Sequence, residues 1–247
     1  MPKNLILVPG AWHTAACFDL ITPHLHHQGF TVNALTLPGV AADKTDSFND
    51  DVQTIRSAVL DIIDAGEDVA VVMHSYGAVP GCEAMKDLSK AHRTAQGRSG
   101  GVVALVFLCA WAVPVGQSIG SLANMQGFID QGEYLKEENG RLHFLKPIDV
   151  FYHDLPIDEA EKRAAMLGTH DASLSFTNLS YPAYWDIPSS YLACRNDIAI
   201  PYEMQLMMID NAKFEHVETW DSGHSPFLSR PEDAADFIAR GVDKYLN

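Results

Sequence analysis

Short runs of apolar, often β-branched residues alternate along the chain with longer stretches of helical hydrophobic period. Such runs are typical of strands buried on both faces of a parallel sheet, and the stretches between them are typical of covering helices. The pattern predicts strands at residues 5–8, 30–35, 69–73, 102–109, 189–194 and 214–219. It predicts helices at residues 15–28, 48–65, 75–91, 202–211 and 231–246. The expected fold class is α/β, with a mostly parallel sheet of about six strands flanked by helices.

Residues 112–185 interrupt this alternation, because they contain no convincing buried strand. Two amphipathic helices are predicted there, at residues 118–131 and 158–167, among many aromatic side chains. We interpret the segment as a helical cap that is inserted into a core domain formed by residues 1–111 and 186–247. The alternative is an ordinary long helical crossover, which is disfavoured because long irregular connections are uncommon.

The composition predicts a compact protein that needs no metal or disulfide to fold. Apolar residues make up 47% of the 247 residues and charged residues only 20%, a balance that argues against a disordered chain. The four cysteines, Cys17, Cys82, Cys109 and Cys194, form neither a C-x-x-C pair nor a cluster with histidines. We therefore expect no metal and no cofactor.

The charge of the chain bears on its partners and location. Seventeen Lys and Arg residues against 32 Asp and Glu residues give a formal net charge of −15. A chain this acidic repels phosphate backbones and anionic lipids, so no nucleic-acid or membrane partner is expected. The apolar run at the amino terminus is too short for a signal peptide, and no run reaches the roughly 20 residues that span a bilayer. These features predict a cytoplasmic protein.

A serine at a predicted strand-to-helix junction is the strongest chemical signal. The sequence Val69-Ala-Val-Val-Met-His-Ser-Tyr-Gly-Ala78 places a buried strand directly before a helix rich in small residues. This is the pattern of a nucleophile elbow, G-x-S-x-G, in which Ser75 stands on a strained turn above the sheet edge. Met73 occupies the position of the first glycine, and it would have to pack against Ala78 and Gly81. The alternative role for Ser75 is that of a simple helix N-cap.

A nucleophilic serine needs a base and an orienting acid, which follow it along the chain at the carboxyl ends of later strands. The loop after strand 214–219 contains His224, and the loop after strand 189–194 contains Asp197. Of the eleven histidines, only His224 combines this order with a loop position. Asp221 competes with Asp197, because it lies three residues before His224 in the same loop. We predict a catalytic triad of Ser75, His224 and Asp197.

The loop after the first strand, Pro9-Gly-Ala-Trp-His13, is expected to contribute to an oxyanion hole through backbone N–H groups. We assign the two donors to the N–H groups of Ala11 and Tyr76. Trp12 and His13 either wall the substrate pocket or brace the loop, and bracing is the more common role of aromatic side chains. The loop lacks the G-x-G-x-x-G pattern of a dinucleotide site.

The chain resembles the α/β-hydrolase superfamily in four motifs, Pro9-Gly-Ala-Trp-His13, Met73-His-Ser-Tyr-Gly77, Arg195-Asn-Asp197 and Gly223-His-Ser225. It resembles most the branch that contains plant methyl-salicylate esterases and hydroxynitrile lyases. The first loop reads H-G-A-x-H-G in that branch, and this chain departs from it at Pro9 and Thr14. The resemblance implies an α/β-hydrolase fold with a small helical cap, the triad and oxyanion hole assigned above, and no cofactor.

The resemblance also implies a function, the hydrolysis of a small, largely apolar ester or lactone through an acyl-serine intermediate. Two alternatives stay open. One is a carbon–carbon lyase or hydrolase that uses the same triad as a proton relay, and the other is a ligand-binding, receptor-like protein. Hydroxynitrile lyases of this branch carry a lysine after the catalytic histidine, where this chain has the neutral Ser225, which disfavours cyanide chemistry.

Aromatic and flexible side chains are the candidates for contacting the substrate. They are Trp12, Met125, Phe128, Tyr184 and Trp185. For each cap residue among them the alternative role is packing between the cap and the core. The partner implied by the resemblance is a small-molecule ester or lactone, and both a monomer and a homodimer stay open.

Overall fold

A computed structural model describes residues 3–40 and 48–245 of the chain. Its strands are β1 (Lys3–Val8), β2 (Phe30–Ala34), β3 (Val69–His74), β4 (Val102–Leu108), β5 (Leu135–Glu138), β6 (Arg141–Phe144), β7 (His170–Asp171), β8 (Ser189–Cys194) and β9 (His216–Trp220). Six of them form one parallel sheet in the order β2-β1-β3-β4-β8-β9. The predicted parallel sheet of about six strands is confirmed.

Burial explains why the central strands were readable from the sequence. Every residue of β3, β4 and β8 is buried, as expected for strands that are covered on both faces by crossover helices. The edge strand β2 instead alternates between buried or half-buried and exposed positions, and β9 has no fully buried residue. The predicted start of the last strand is therefore two residues early, since its edge position weakens the apolar signal.

The helices cover both faces of this sheet. They are α1 (Thr22–His27), α2 (Phe48–Ile63), α3 (Ala78–Ala84), α4 (Lys90–Ala95), α5 (Ile119–Leu122), α6 (Met125–Gln131), α7 (Pro147–Phe151), α8 (Ile157–Ala165), α9 (Tyr202–Ala212), α10 (Pro226–Ser229) and α11 (Pro231–Asp243). None of the helices in the described ranges is long and apolar enough to cross a membrane. The predicted end of the last helix, at residue 246, lies outside the described residues.

Three predicted helices are interrupted, and the one at 118–131 is split into α5 and α6 at Asn124, which has a left-handed φ of 50°. The other two are helices of the predicted core, and each is interrupted for a local reason. The first, at 15–28, is a 3-10 turn followed by α1, and Pro23 in the first turn of α1 lacks the N–H that would continue a helix from upstream. In the second, at 75–91, α3 ends at Ala84. Asp87 then has a left-handed φ of 65°, which a continuous α-helix does not allow. Helix α4 begins anew after Ser89, whose side chain caps it by accepting from the His92 N–H at 3.1 Å.

The segment between β4 and β8, for which no convincing buried strand was predicted, contains short strands. Besides helices α5 to α8 it contains a three-stranded antiparallel sheet in the order β5-β6-β7. These strands are short and mostly exposed or half-buried, so they lack the continuous apolar run by which buried strands are predicted. The turn between β5 and β6 is Asn139-Gly140, with φ angles of 53° and 77°, and Asn-Gly was a hairpin signal in the sequence. The division into a core and a cap at residues 112–185 stays a prediction.

Candidate active site

Ser75 follows β3 directly and has a φ of 51°, a left-handed conformation that serine rarely adopts. Strain of this kind costs on the order of 1–3 kcal/mol and persists only where the surroundings enforce it. The N-cap of α3 is Gly77, and no side chain caps that helix, so Ser75 is not an N-cap. The turn places Ser75, 8% exposed, at the carboxyl edge of the sheet.

The long side chain of Met73 is accommodated by the glycine one helical turn beyond the elbow. A Cβ built on Gly81 would overlap the Met73 sulfur. The close approach of β3 to its following helix therefore depends on Gly81. Because Gly81 has no side chain, it leaves the room that a glycine at position 73 would otherwise provide. The predicted contact between Met73 and Gly81 is present.

The Tyr76 side chain anchors the elbow from inside the protein. Its O–H donates to Oδ2 of the buried Asp51 on α2 at 2.7 Å, and Oδ1 of the same carboxylate accepts from the Gly39 N–H at 2.8 Å. Burial, and then the Asp51 charge, hold the pKa of Tyr76 well above its usual 10. The Tyr76 backbone N–H lies in the first turn of the elbow helix, where an N–H has no helical acceptor.

The loop after β1 comes close to the elbow because it contains Gly10. A Cβ on Gly10 would lie 2.9 Å from the Ser75 Cβ, so a larger residue would separate the two. The loop turns tightly, with the His13 N–H donating to the Gly10 carbonyl at 3.2 Å and Trp12 at a φ of 64°. Within the described residues the Ala11 N–H donates no hydrogen bond, and it is the first of the two predicted oxyanion donors.

His224 and Asp197 are hydrogen-bonded to each other. The His224 Nδ1 lies 2.8 Å from the Asp197 Oδ2, and both residues are buried. The other carboxylate oxygen accepts from the backbone N–H groups of Ala199 and Ile200 at 2.8 and 2.9 Å. Asp221, the competing acid, has a side chain 75% exposed and pairs with Arg195 at 2.8 Å. The structure therefore brings Asp197, and not Asp221, to the histidine.

Two further side chains hold the backbone of His224. The His74 Nε2 lies 2.9 Å from the His224 carbonyl oxygen, and the Cys109 sulfur lies 3.1 Å from it. A carbonyl oxygen only accepts, so His74 carries its proton on Nε2 and Cys109 donates its S–H. Burial lowers the pKa of His74 well below 6.5, which keeps this ring neutral. His74, Cys109 and His224 bring ligand atoms within 4.8 Å of one another, but these protons make them a hydrogen-bond network rather than a metal cage.

Ser75 and His224 line one cavity of about 270 Å³. The predicted substrate contacts Trp12, Met125 and Phe128 line it as well. None of the described residues that line this cavity is an Asp, Glu, Lys or Arg. The cavity therefore offers a mostly apolar wall, in which Ser75 and His224 are the predicted nucleophile and base.

Comparison with known proteins matches the chain to one family. The sequence profile of the Alpha/beta hydrolase family matches residues 5–237. The chain belongs to this family. It is 32% identical over 92% of its length to the alpha/beta hydrolase nvfD of Aspergillus novofumigatus, of which it covers 92%. It is 25% identical over 99% of its length to methylesterase 1 of Arabidopsis thaliana, covering 97% of that protein.

A solved structure shows the same α/β-hydrolase fold. It is an extracellular alpha/beta-hydrolase from a Paenibacillus species, described as homologous in structure and function to tobacco salicylic acid binding protein 2. The TM-score is 0.78 at 20% identity, with 98% of this chain and 99% of that chain covered. The resemblance to the α/β-hydrolase superfamily and to its methyl-salicylate esterase-like branch, stated from the motifs, is confirmed.

Two predicted substrate contacts of this α/β hydrolase lie elsewhere, and their assignment to the site is wrong. Tyr184 and Trp185 line a separate cavity of about 470 Å³, formed where β8 and β9 begin. Ser75 and His224 instead follow the carboxyl ends of β3 and β9, so the two cavities occupy different parts of the sheet. The Tyr184 O–H donates to the Val113 carbonyl at 2.8 Å, and Trp185 is 63% exposed.

Sequence reasoning missed several residues that shape the site. The buried Gln205 on α9 donates from Nε2 to the Asp197 Oδ2 at 3.2 Å and to the Ile200 carbonyl at 2.7 Å. No local motif distinguishes such a residue, because its role depends on the packing of α9 against β8. Trp111, Phe144, Phe151 and Ile198 also line the cavity. The density of aromatic residues in the cap segment was the available signal for Phe144 and Phe151.

Proposed function

We propose that this α/β hydrolase is a serine hydrolase that cleaves a small, largely apolar carboxylic ester or lactone through an acyl-serine intermediate. The observation that carries the proposal is one cavity lined both by the strained Ser75 and by His224, which is hydrogen-bonded to Asp197. The names of relatives support ester cleavage, among them methylesterase 1 of Arabidopsis thaliana and a pyrethroid hydrolase of Sphingobium wenxiniae. The chain covers 97% and 88% of those two proteins.

In the proposed mechanism, His224 takes the proton of the Ser75 hydroxyl as its oxygen attacks the ester carbonyl. Asp197 keeps the histidine proton on Nδ1, so that Nε2 is free to act as the base. The backbone N–H groups of Ala11 and Tyr76 stabilise the oxyanion, each contributing about 3–4 kcal/mol. His224 then protonates the leaving alcohol, and water hydrolyses the acyl-serine with the same base.

The lack of charged side chains in the described wall of the cavity favours a neutral substrate. A carboxylate that entered it would lose its hydration without meeting a cationic side chain, which is unfavourable. We therefore expect 4-nitrophenyl butyrate to be hydrolysed at least about 10-fold faster, in kcat/KM, than the 4-nitrophenyl hemisuccinate. The two esters have acyl chains of similar length and differ in the terminal charge. The hemisuccinate carboxylate also attacks its own ester, so both values are corrected for hydrolysis without enzyme, and equal corrected values of kcat/KM would contradict a neutral substrate class.

The covalent step is tested directly by labelling. A fluorophosphonate probe should label the wild-type protein at Ser75 with one-to-one stoichiometry, and 4-nitrophenyl butyrate should be turned over. Ser75→Ala should abolish both labelling and turnover. Ser180→Ala, which changes an exposed serine bonded to Glu83, is the matched control and should keep both.

The alternatives give different results in the same experiment. A receptor-like protein would bind ligand and release almost no product. A carbon–carbon lyase that uses Ser75 only in a proton relay would turn over its substrate without accumulating an acyl-enzyme. A wild-type protein that is neither labelled nor active on either ester would refute the proposed function.

A further inference from the structure

The cap residues that follow α7 contact both loops of the candidate active site. Tyr152 is almost completely buried, and its hydroxyl oxygen lies 2.8 Å from the Nε2 of His13 in the loop after β1. Two residues later, the Asp154 Oδ2 accepts the Gly223 N–H at 2.8 Å, directly before His224. Neither Tyr152 nor Asp154 lines the cavity that contains Ser75. Any effect of these two residues on chemistry would therefore pass through the loops.

The His13 ring forms two hydrogen bonds, one with Tyr152 and one with the Ala11 carbonyl, and the donor of each can be assigned. The His13 Nδ1 lies 2.7 Å from the Ala11 carbonyl oxygen, which can only accept, so His13 carries its proton on Nδ1. The Tyr152 O–H therefore donates to the lone pair on Nε2. Burial lowers the pKa of His13 to about 4, which keeps that lone pair available at neutral pH. The pair ties the cap to the Ala11–Trp12 peptide, the neighbour of the N–H that we assign to the oxyanion hole.

The Asp154 contact is equally close. A Cβ on Gly223 would lie 2.8 Å from the His153 Cε1 and 2.9 Å from the Asp154 Oδ1, so a larger residue at that position would displace these side chains. The Oδ1 atom is buried and has no hydrogen-bond partner among the described residues. An aromatic ring completes the contact between the two loops, because Phe151 packs 5.5 Å from the His13 ring and 5.5 Å from the His224 ring.

We propose that Tyr152 and Asp154 are positioning residues of this hydrolase, which hold the loop of Ala11 and the loop of His224 in the arrangement that Ser75 requires. The inference rests on the proposed function for its effect on catalysis. Its structural part, the fixing of two loops by the cap, can be measured without a substrate. A displacement of about 1 Å in a reacting group can cost 100-fold in rate, so two hydrogen bonds outside the cavity suffice for a large effect.

Tyr152→Phe tests the first contact, with Tyr184→Phe as its control. Both changes remove one buried tyrosine hydroxyl that donates a hydrogen bond at 2.8 Å, but only Tyr152 contacts an active-site loop. Tyr152→Phe should lower kcat for 4-nitrophenyl butyrate by about 10-fold or more and leave KM within about 2-fold, because the cavity wall is unchanged. Tyr184→Phe should keep kcat and KM, although its free energy of unfolding should fall by about as much as that of Tyr152→Phe.

Asp154→Ala and Asp154→Asn test the second contact. Asparagine keeps a side-chain oxygen that can accept the Gly223 N–H, whereas alanine does not. We expect Asp154→Ala to lower kcat by about 10-fold or more and Asp154→Asn to restore most of it. An equal loss in both variants would overturn the positioning role, because it would assign the effect to the charge of the carboxylate.

Hydrogen–deuterium exchange separates this inference from the proposed function. In folded Tyr152→Phe protein the amides of residues 10–13 should exchange faster, and in folded Asp154→Ala protein those of residues 221–225 should. Tyr184→Phe should leave both segments unchanged. Unaltered exchange in these loops, or unaltered kcat in an active protein, would overturn the inference. If the wild-type protein proves inactive on esters, the proposed function fails while the exchange measurement still decides whether the cap holds the loops.

Discussion

The buried side chain of His170 on β7 makes the free energy of unfolding depend on pH, and the size of this effect can be calculated. Its ring is completely buried, and neither ring nitrogen has a hydrogen-bond partner among the described residues. The ring packs 5.4 Å from the Trp12 ring and 4.6 Å from the Tyr76 ring, so it joins β7 to the loop after β1 and to the turn at Ser75. Burial first, and the charge of Arg141 second, lower the pKa of His170 from 6.5 to about 3.

This lowered pKa makes the folded protein lose stability as the pH falls. Between pH 6.5 and pH 3 the unfolded chain binds a proton at His170 that the folded chain does not bind, so the free energy of unfolding decreases on acidification in that window. At pH 5 the loss relative to pH 8 is about 2 kcal/mol for this one histidine. His13, with a pKa lowered to about 4, adds about 2 kcal/mol in the same direction.

Urea unfolding of the wild type and of His170→Leu, each at pH 8 and pH 5, tests the calculation. Leucine has a similar volume and does not titrate, so the variant should lose about 2 kcal/mol less than the wild type between the two pH values. His26→Gln, which replaces an exposed histidine on α1, should lose as much as the wild type. Equal losses in the wild type and His170→Leu would refute the assignment of the acid sensitivity to this buried ring.

Three further predictions concern the elbow and the acid. Asp197→Asn should lower kcat for ester hydrolysis by about 10⁴-fold, because it favours the wrong tautomer of His224, whereas Asp221→Asn should leave kcat near the wild-type value. A larger loss of kcat in Asp221→Asn than in Asp197→Asn would assign the acid to Asp221. Gln205→Leu should lower both the urea midpoint and kcat, because it leaves buried polar groups around Asp197 unpaired; an unchanged kcat would show that the carboxylate needs no such support. Gly81→Ala should destabilise the fold by about 1–3 kcal/mol, and adding Met73→Ala should recover part of that loss; additive effects in urea unfolding would contradict the contact.

The core sheet could be predicted because each of its central strands is a continuous apolar run. β3 and β4 are buried along their whole length, and the only polar residue in either is His74 at the end of β3, so the apolar run is continuous up to that point. The elbow was predictable for a related reason, since Ser75 stands at the point where strand periodicity changes to helical periodicity. The hairpin of β5 and β6 was missed, because its short, half-exposed strands resemble loops in hydrophobic pattern and only its Asn139-Gly140 turn carried a signal.

The placement of Trp185 and Tyr184 shows what composition alone could not decide. Both belong to the aromatic-rich segment that also contains Phe128 and Phe151, and nothing in the sequence separates the two pairs. The fold separates them, because the turn with Tyr184 leads into the start of β8, whereas Phe128 on α6 and Phe151 on α7 line the cavity beside Ser75. Which aromatic side chains can contact a substrate is thus a property of the chain path between strands.

The sequence by itself determined the fold class, the order of the predicted triad and the position of the first loop, because these depend on periodicity and on residue order along the chain. Only the tertiary structure decided which acid contacts His224, through the hydrogen bond from Asp197 and the exposure of Asp221. It also decided that Tyr152 contacts His13 in the loop after β1 and that Asp154 contacts Gly223 next to His224. These contacts join residues that are 139 and 69 positions apart, and no local pattern encodes a distance of that kind.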